Sequence, residues 1–242
     1  MGGKVHYFGA GTPGRLAVID AAELVPTFGV NPDLVTAHIA GGNRALTVAV
    51  EDSEDSVSDG AEAAHGLGID DVAIGVTASG NTPYVGGALR KAREHHALTA
   101  LITSNPEPAL GDLADIVIIT RTGPEVLTGS TRLGAGTAQK ALLSSFSTAL
   151  MIALGRSHSN LMVSVVATNA KLRNRTVRIL REAGAESEQA EELLDAADGN
   201  LSAAIVALLA NVDVTQASSA LETASGSVRD AVRILKEHPR DT

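Results

Sequence analysis

The sequence predicts an α/β protein in which a parallel β-sheet lies between two layers of helices, with a small helical bundle after it. Two observations support this three-layer α/β/α sandwich. Short runs of β-branched residues alternate with amphipathic helical segments up to Gly123, and beyond that point the pattern is helical only. Such strand and helix alternation is typical of a parallel sheet with helices on both faces.

Five apolar strands alternate with helices along the first half of the chain. Strands are expected at 4–8, 34–39, 71–77, 98–103 and 116–120, because each is a short run rich in β-branched or aliphatic residues. Helices are expected from the glycine turn at 9–15 through Glu23, at 57–67, at 83–95 and briefly near Leu110. Pro83 fits the first turn of its helix, where a backbone N–H has no intrahelical acceptor to lose.

The second half is expected to hold two long helices, at 134–154 and 162–183, and three short ones. The short helices are predicted at about 187–197, 201–209 and 228–236, with polar segments between them and no long repeat. A boundary is therefore expected near Gly184. It separates a ligand-binding domain at 1–184 from a small three-helix domain at 185–242.

Composition excludes several classes of protein. The net charge of −9 gives no electrostatic basis for a nucleic-acid partner, and the absence of cysteine excludes disulfides, thiolate zinc sites and cysteine nucleophiles. The longest apolar run, 141–154, is too short and too rich in serine to span a bilayer. No secretory signal is visible and the seven histidines form no ligand spacing, so we expect a cytoplasmic protein that acts without metal or cofactor.

The turn between the third strand and its helix has the composition of a phosphate site. It reads Ala78-Ser79-Gly80-Asn81-Thr82-Pro83-Tyr84. A turn of small and hydroxyl residues at a helix N-terminus leaves backbone N–H groups unpaired, with the positive end of the helix dipole behind them. We therefore expect Ser79, Gly80, Asn81 and Thr82 to bind the phosphate of a phosphorylated metabolite.

The first turn, with Gly9, Gly11 and Gly14, matches G-x-G-x-x-G. A dinucleotide site would also need an acidic residue at the end of the second strand, where the chain has Ala-Gly-Gly instead. Two other interpretations are favoured over a dinucleotide site. The turn faces the Ser79 turn and lets Thr12 and Arg15 contact ligand, or its glycines serve tight packing alone.

Several motifs occur in one order over nearly the whole chain. They include GAGTPGR, DAAELVPTFGV, IAGGNRAL, AVEDSEDS, TASGNTPYV, NPEPAL, GPEVLTGSTRLGAGTAQK and NLMVSVVATNAKLRNR. With the C-terminal bundle, this combination resembles the N-acetylmuramic acid 6-phosphate etherase family, which is built on the sugar-isomerase (SIS) fold. The glucokinase regulatory protein is a more distant relative. The resemblance implies removal of the D-lactyl ether from N-acetylmuramic acid 6-phosphate, giving N-acetylglucosamine 6-phosphate and D-lactate without a cofactor.

The resemblance also assigns roles to residues. Glu23 matches the acid that protonates the departing lactate, and Glu54 matches the base that removes the C2 proton; without the resemblance, each is more often a solvated surface charge. We expect Glu23 to lie in drier surroundings than Glu54, because Leu24, Val25 and Pro26 follow it. Further ligand contacts are implied for Ser79 to Thr82 and for Thr128, Ser130, Thr131 and Lys171. Turn formation, helix capping and a solvated lysine are the alternatives for the last four.

The chain departs from the family at Pro13, Asn81, Gly134 and Ser164, where members usually have Ser, Arg, Lys and Asp. A helical extension that usually precedes the first strand is also missing from the sequence. A sugar-phosphate sensor and an SIS-type isomerase are therefore alternatives to the etherase. We expect a homodimer, because the long helices carry more apolar surface than one small sheet can cover, and because SIS relatives complete their sites across a dimer.

Overall fold

The computed structural model describes residues 2–164 and 170–237, with side chains for all of these except 170 and 171. The chain forms two compact units. The first consists of Met1–Leu24 and Asn31–Phe146, and the second of Val25–Val30 and Ser147–Thr242. The predicted domain boundary near Gly184 stays a prediction.

The first unit is built on a five-stranded parallel sheet in the order β2-β1-β3-β4-β5. The strands are β1 (Val5–Gly9), β2 (Val35–Ile39), β3 (Val72–Val76), β4 (Leu98–Thr103) and β5 (Ile116–Ile119). All five predicted strands are present, each within a residue or two of its expected bounds. The sheet can be predicted from the sequence because buried parallel strands appear as short, continuous apolar runs.

Helices cover both faces of this sheet, which confirms the three-layer architecture. They are α1 (Gly11–Phe28), α2 (Val57–Ala63), α3 (Pro83–Glu94) and the start of α4 (Gly134–Ala153). On one face, Phe8 packs into a cluster with residues of α3 such as Leu89. On the other, Tyr7 contacts Phe146 of α4 edge to face and donates a hydrogen bond to Asp20 of α1.

Helix α1 is longer than expected. The prediction ended it at Glu23, ahead of Pro26, but it continues to Phe28. A proline near the end of a helix removes one hydrogen bond only, and the chain leaves the helix at Gly29, whose φ of 60° is a left-handed conformation that glycine adopts readily.

In its described residues, the second unit contains the end of α4, a short antiparallel pair and five further helices. The pair is β6 (Ser157–His158) and β7 (Leu161–Met162), and the helices are α5 (Ala170–Glu182), α6 (Ser187–Ala196), α7 (Leu201–Ala210), α8 (Val214–Thr223) and α9 (Val228–Glu237). The long helix expected at 162–183 is thus shorter, and residues 165–169 of that prediction lie outside the described residues. Helix α8 was not predicted, because its sequence VTQASSALET carries little apolar character.

The helices α6 to α9 form two pairs that share the same kinds of caps and turns, a short similarity beneath the absence of any long repeat in the sequence. Both α6 and α8 begin with a capping box, at Glu186 and Asp213 respectively. Each then ends in a left-handed residue followed by glycine, Asp198-Gly199 and Ser225-Gly226. The repeat is defined by caps and turns more than by apolar residues, which is why the sequence pattern alone did not reveal it.

Among the described residues, no single helix is both long and apolar enough to cross a membrane. The helices α7 and α8 reach that measure only as a pair, and the chain bends by 107° at the break between them.

Candidate active site

The turns that follow β1, β2 and β3 lie at one edge of the sheet, because the carboxyl ends of parallel strands share an edge. The end of β2 is joined to the end of β1 by a hydrogen bond from the Ala40 N–H to the Gly9 carbonyl, at 3.0 Å. The first unit thereby brings the glycine turn and the Ser79 turn, predicted separately, to the same edge.

A buried threonine organises the Ser79 turn. The Thr77 hydroxyl lies 2.7 Å from the Thr82 hydroxyl and 3.4 Å from that of Ser79, and it accepts a hydrogen bond from the Gly80 N–H. The Ser79 hydroxyl also accepts the Asn81 N–H, at 3.3 Å. The hydroxyls of Ser79 and Thr82 are therefore held in place from below by a side chain that is 2% exposed.

Backbone donors in this turn are unpaired. Among the described residues, none accepts a hydrogen bond from the N–H groups of Ser79, Thr82, Tyr84 or Val85. Thr82 is the N-cap of α3, and its side chain makes no capping bond. Free N–H groups at the positive end of a helix dipole form an anion site. The predicted phosphate cradle therefore has the donors that it needs.

The neighbouring segment 103–110 supports the turn from behind. Asn105 donates to the Ser79 carbonyl at 2.8 Å, and the Ala109 N–H donates to the side-chain oxygen of Asn81 at 3.0 Å. Gly80 has a φ of 72°, and a Cβ there would lie 2.4 Å from Cβ of Pro108. Asn81 thus uses its amide oxygen within the protein, which leaves its amide NH₂ for a ligand.

The glycines of the first turn serve close packing. A Cβ on Gly9 would lie 2.8 Å from the backbone nitrogen of Gly14, and one on Gly14 would lie 2.7 Å from Cγ1 of Ile39. Arg15, which we expected could contact ligand, instead donates to the carbonyls of Ala45 and Leu46 at 2.8 and 3.2 Å. The packing interpretation of this turn is therefore the one that the geometry favours.

Thr12 and the second polar loop approach each other at the start of α4. A Cβ on Gly136 would lie 3.3 Å from the Thr12 methyl and 3.4 Å from the Thr131 carbonyl oxygen. Thr128 and Thr131 are exposed and Ser130 is half-buried. The structure thus brings Thr12 close to the loop that carries three of the predicted ligand contacts.

A glutamate that the prediction missed closes this loop. The Glu125 carboxylate accepts hydrogen bonds from the N–H groups of Gly134 and Ala135, at 2.7 and 2.9 Å, and so caps the N-terminus of α4. A negative charge at this end of a helix is favourable. Glu125 thereby satisfies these two backbone donors within the chain, and the polar loop 126–133 before them stays a predicted ligand contact.

Glu54 lies on a short 3₁₀ turn, Ser53–Asp55, and is exposed. The turn packs against α3, the helix at whose N-terminus the phosphate cradle is predicted. It also lies against the end of β2, since a Cβ on Gly41 would lie 3.2 Å from the Ser53 hydroxyl. The predicted base is therefore placed on the side of the sheet edge where the cradle begins.

Glu23 lies elsewhere in the same chain. Helix α1 begins at the carboxyl end of β1 and runs back along that strand. Near its start, Gly14 packs on Gly9 at the end of β1, and further along, Asp20 accepts a hydrogen bond from Tyr7 in the middle of the strand. At the rise of an α-helix, Glu23 is about 18 Å along the axis from Gly11, the first residue of α1. Glu23 and Glu54 are both exposed in the single chain, and the drier surroundings expected for Glu23 stay a prediction.

Within the described residues, no group of three or more side chains is arranged as a metal site. The nearest cluster is a pair of stacked histidines on β1 and β2. Nδ1 of His6 and Nε2 of His38 are 3.2 Å apart, with the Thr36 hydroxyl 2.9 Å from His6. Burial lowers the pKa of His6 and lowers that of His38 to about 4. The pair is therefore neutral at neutral pH.

Comparison with known proteins identifies the family. The chain is 56% identical to the N-acetylmuramic acid 6-phosphate etherase of Thermobifida fusca, over 86% of this chain and 69% of the relative. It is 50% identical to that of Exiguobacterium sp. (96% and 80%) and 47% identical to that of Mycolicibacterium smegmatis (96% and 78%). The chain belongs to the N-acetylmuramic acid 6-phosphate etherase family.

Two domain models also match the chain and are consistent with this etherase family. Residues 1–93 match the glucokinase regulatory protein N-terminal SIS domain, and residues 55–154 match the SIS domain. Among solved structures, the C-terminal domain of glucosamine-fructose-6-phosphate aminotransferase from Francisella tularensis is similar, with a TM-score of 0.46 and 16% identity over 86% of this chain and 47% of that one. That likeness is too distant to bear on substrate or activity.

Two departures from the etherase pattern have a local explanation. Pro13 lies in the first turn of α1, where no helical hydrogen bond is lost. Gly134 lies against the cap of α4, because a Cβ there would approach the Glu125 carboxylate oxygen to 3.1 Å. Ser164 lines a cavity of the second unit. The side chain of Lys171, which the etherase motif also includes, lies outside the described part.

Proposed function

We propose that the chain cleaves the D-lactyl ether of N-acetylmuramic acid 6-phosphate and releases N-acetylglucosamine 6-phosphate and D-lactate. Identity of 47 to 56% with the etherases named above is the observation that carries this proposal. The unpaired N–H groups around Ser79 and Thr82 supply the phosphate site that such a substrate needs. The regulatory and isomerase alternatives have no comparable support.

The chemistry is an elimination followed by hydration. In the open-chain sugar, the C1 aldehyde makes the C2 proton acidic, and the Glu54 carboxylate removes it. The C3–O bond then breaks, and the Glu23 carboxyl group gives its proton to the departing lactate oxygen. The resulting Glu23 carboxylate takes a proton from water as the oxygen of that water adds to C3, and the C2 proton returns. Two carboxyl groups in opposite protonation states suffice for this sequence.

We infer that the two glutamates of one active site come from different subunits. Glu54 and the phosphate cradle belong to one sheet edge, whereas Glu23 is about 18 Å along α1 from Gly11, which begins that helix at the same edge. A carboxylate side chain does not reach across that distance. A partner chain that presents its own Glu23 would complete the site, and the same contact would remove water from around that carboxyl group and raise its pKa.

A homodimer is part of this proposal. Val126 and Leu127, beside the polar loop, are 95% and 60% exposed in the single chain. Large apolar side chains so exposed are typical of surfaces that a partner covers. Sedimentation at micromolar concentration should therefore give a dimer. A monomer at that concentration would overturn both the dimer and the shared site. We also retain the cytoplasm as the proposed location.

Activity is tested by incubating the chain with N-acetylmuramic acid 6-phosphate and assaying D-lactate. The division of labour is tested in deuterated solvent. Glu23→Gln should stop lactate release yet still exchange the C2 proton, because deprotonation precedes C–O cleavage. Glu54→Gln should abolish both. Exchange that survives in the Glu54 variant but is lost in the Glu23 variant would mean that the roles are reversed.

The phosphate site is tested by removing its hydroxyls. Ser79→Ala combined with Thr82→Val should raise KM about tenfold or more, at roughly 1 kcal/mol for each lost hydrogen bond. Ser58→Ala, an exposed serine on α2, is the matched control and should leave KM unchanged. Unaltered KM in the double variant would remove this turn as the phosphate site.

A further inference from the structure

The second unit has an open pocket to which the proposed reaction gives no role. Its volume is about 610 Å³, which is within the range of small-molecule sites. The lining combines buried apolar side chains, Leu201, Leu221 and Val163, with a larger set of polar ones. We call it the C-terminal pocket.

The pocket is built by the helix repeat. The turn Asp198-Gly199-Asn200, between α6 and α7, and the turn Ser225-Gly226, between α8 and α9, both line it. These are equivalent turns of the two helix pairs, and each has a non-glycine residue in the left-handed region, with φ of 50° and 52°. Two copies of one turn therefore direct their backbone and side-chain polar groups toward a single cavity.

Arg156 contributes a positively charged group to the lining of the C-terminal pocket. Its guanidinium lies along the backbone of Gly226, since a Cβ there would be 2.9 Å from a guanidinium nitrogen. The side chain is half-buried, yet no described residue accepts a hydrogen bond from the guanidinium or forms an ion pair with it. A half-buried guanidinium offers a planar set of donors that suits a carboxylate or a phosphate.

The other polar groups suit hydroxyls. Ser164 and Ser218 are half-buried in the lining, whereas the carboxylates of Asp198 and Glu222 are exposed. Carboxylates accept hydrogen bonds from ligand hydroxyl groups, and serines both donate and accept. A ligand with an anionic group at Arg156 and several hydroxyls toward these residues would use the whole lining.

We propose that the C-terminal pocket binds a small polyhydroxylated anion, either a sugar acid or a sugar phosphate, with its anionic group on Arg156. The proposal does not depend on the etherase reaction, because none of the lining residues is assigned a catalytic step. Two probes separate the two sources of negative charge. N-acetylmuramic acid carries a carboxylate and no phosphate, and N-acetylglucosamine 6-phosphate carries a phosphate and no carboxylate.

Calorimetric titration of each probe is made into the full chain carrying Ser79→Ala and Thr82→Val, so that the proposed phosphate cradle is weakened. In that background, Arg156→Gln should weaken binding about tenfold or more, because a charge-assisted contact is lost. Ser218→Phe should block binding by filling the pocket. The matched controls are Arg229→Gln and Ser219→Phe, which make the same changes at exposed positions of the same helical unit, and they should bind like the background.

Binding of the carboxylate probe alone would identify a sugar acid, and binding of the phosphate probe alone a sugar phosphate; either supports the proposal. Thermal melting of each variant confirms that it is folded. The proposal is overturned if neither probe saturates the chain at about 10 mM, or if the folded Arg156→Gln and Ser218→Phe variants bind as the background does. Failure of the etherase proposal would appear separately, as absence of lactate release by the wild-type chain.

Discussion

Mixing two inactive variants tests whether one active site uses Glu54 of one subunit and Glu23 of the other. Glu23→Gln and Glu54→Gln homodimers should each release no lactate. When the two are unfolded together and refolded, random association makes about half of the dimers mixed. Each mixed dimer has one site with both glutamates and one with neither. The mixture should therefore recover about 25% of wild-type activity, and mixed dimers purified by two different tags about 50%.

The reciprocal mixture is the control. Wild-type chain is refolded with an equal amount of the chain that carries both substitutions. If sites are shared, every site of a mixed dimer lacks one glutamate, so that only wild-type homodimers work, and activity falls to about 25%. If both glutamates belong to one chain, the reciprocal mixture keeps about 50% and the first mixture stays inactive. That second pattern would refute the assignment of Glu23 to the partner's site.

Two further predictions concern the first unit. Glu125→Ala should lower the free energy of unfolding by about 1–2 kcal/mol, because the first-turn N–H groups of α4, starting at Gly134, lose their acceptor; it should also raise KM, since the loop before α4 is no longer closed. Denaturant unfolding measures the first effect, and an unchanged midpoint would contradict the capping role. Burial lowers the pKa of His38 to about 4. As the pH drops from 6.5 toward 4, His38 takes up a proton in the unfolded chain before it does so in the folded chain, so the free energy of unfolding should fall. His38→Leu should flatten that decline in Tm and the exposed control His96→Asn should not; equal slopes would contradict the assignment.

The sequence by itself determined the sheet, most of the helices and the position of the Ser79 turn, which we propose binds phosphate. These features depend on neighbours along the chain, because strands of four to six residues are continuous apolar runs and the Ser79 turn precedes a helix whose first turn holds Pro83. The motifs that occur in one order along the chain also sufficed to recognise the family. The sequence pattern does not predict α8, because a helix of small and polar residues is stabilised by its capping box and by packing more than by hydrophobic periodicity.

Only the tertiary structure decided how these parts are used. The Thr77 hydroxyl beneath the cradle, the Glu125 cap on α4 and the engagement of Arg15 by the carbonyls of Ala45 and Leu46 are hydrogen bonds whose geometry no spacing in the sequence specifies. The direction in which α1 returns along β1 separates Glu23 from Glu54, although the motifs that hold them lie close together in the sequence. The C-terminal pocket arises where two turns of a repeat meet. Such features depend on which distant segments the fold brings together, and the physical reason is that side-chain hydrogen bonds and cavities are set by packing in three dimensions.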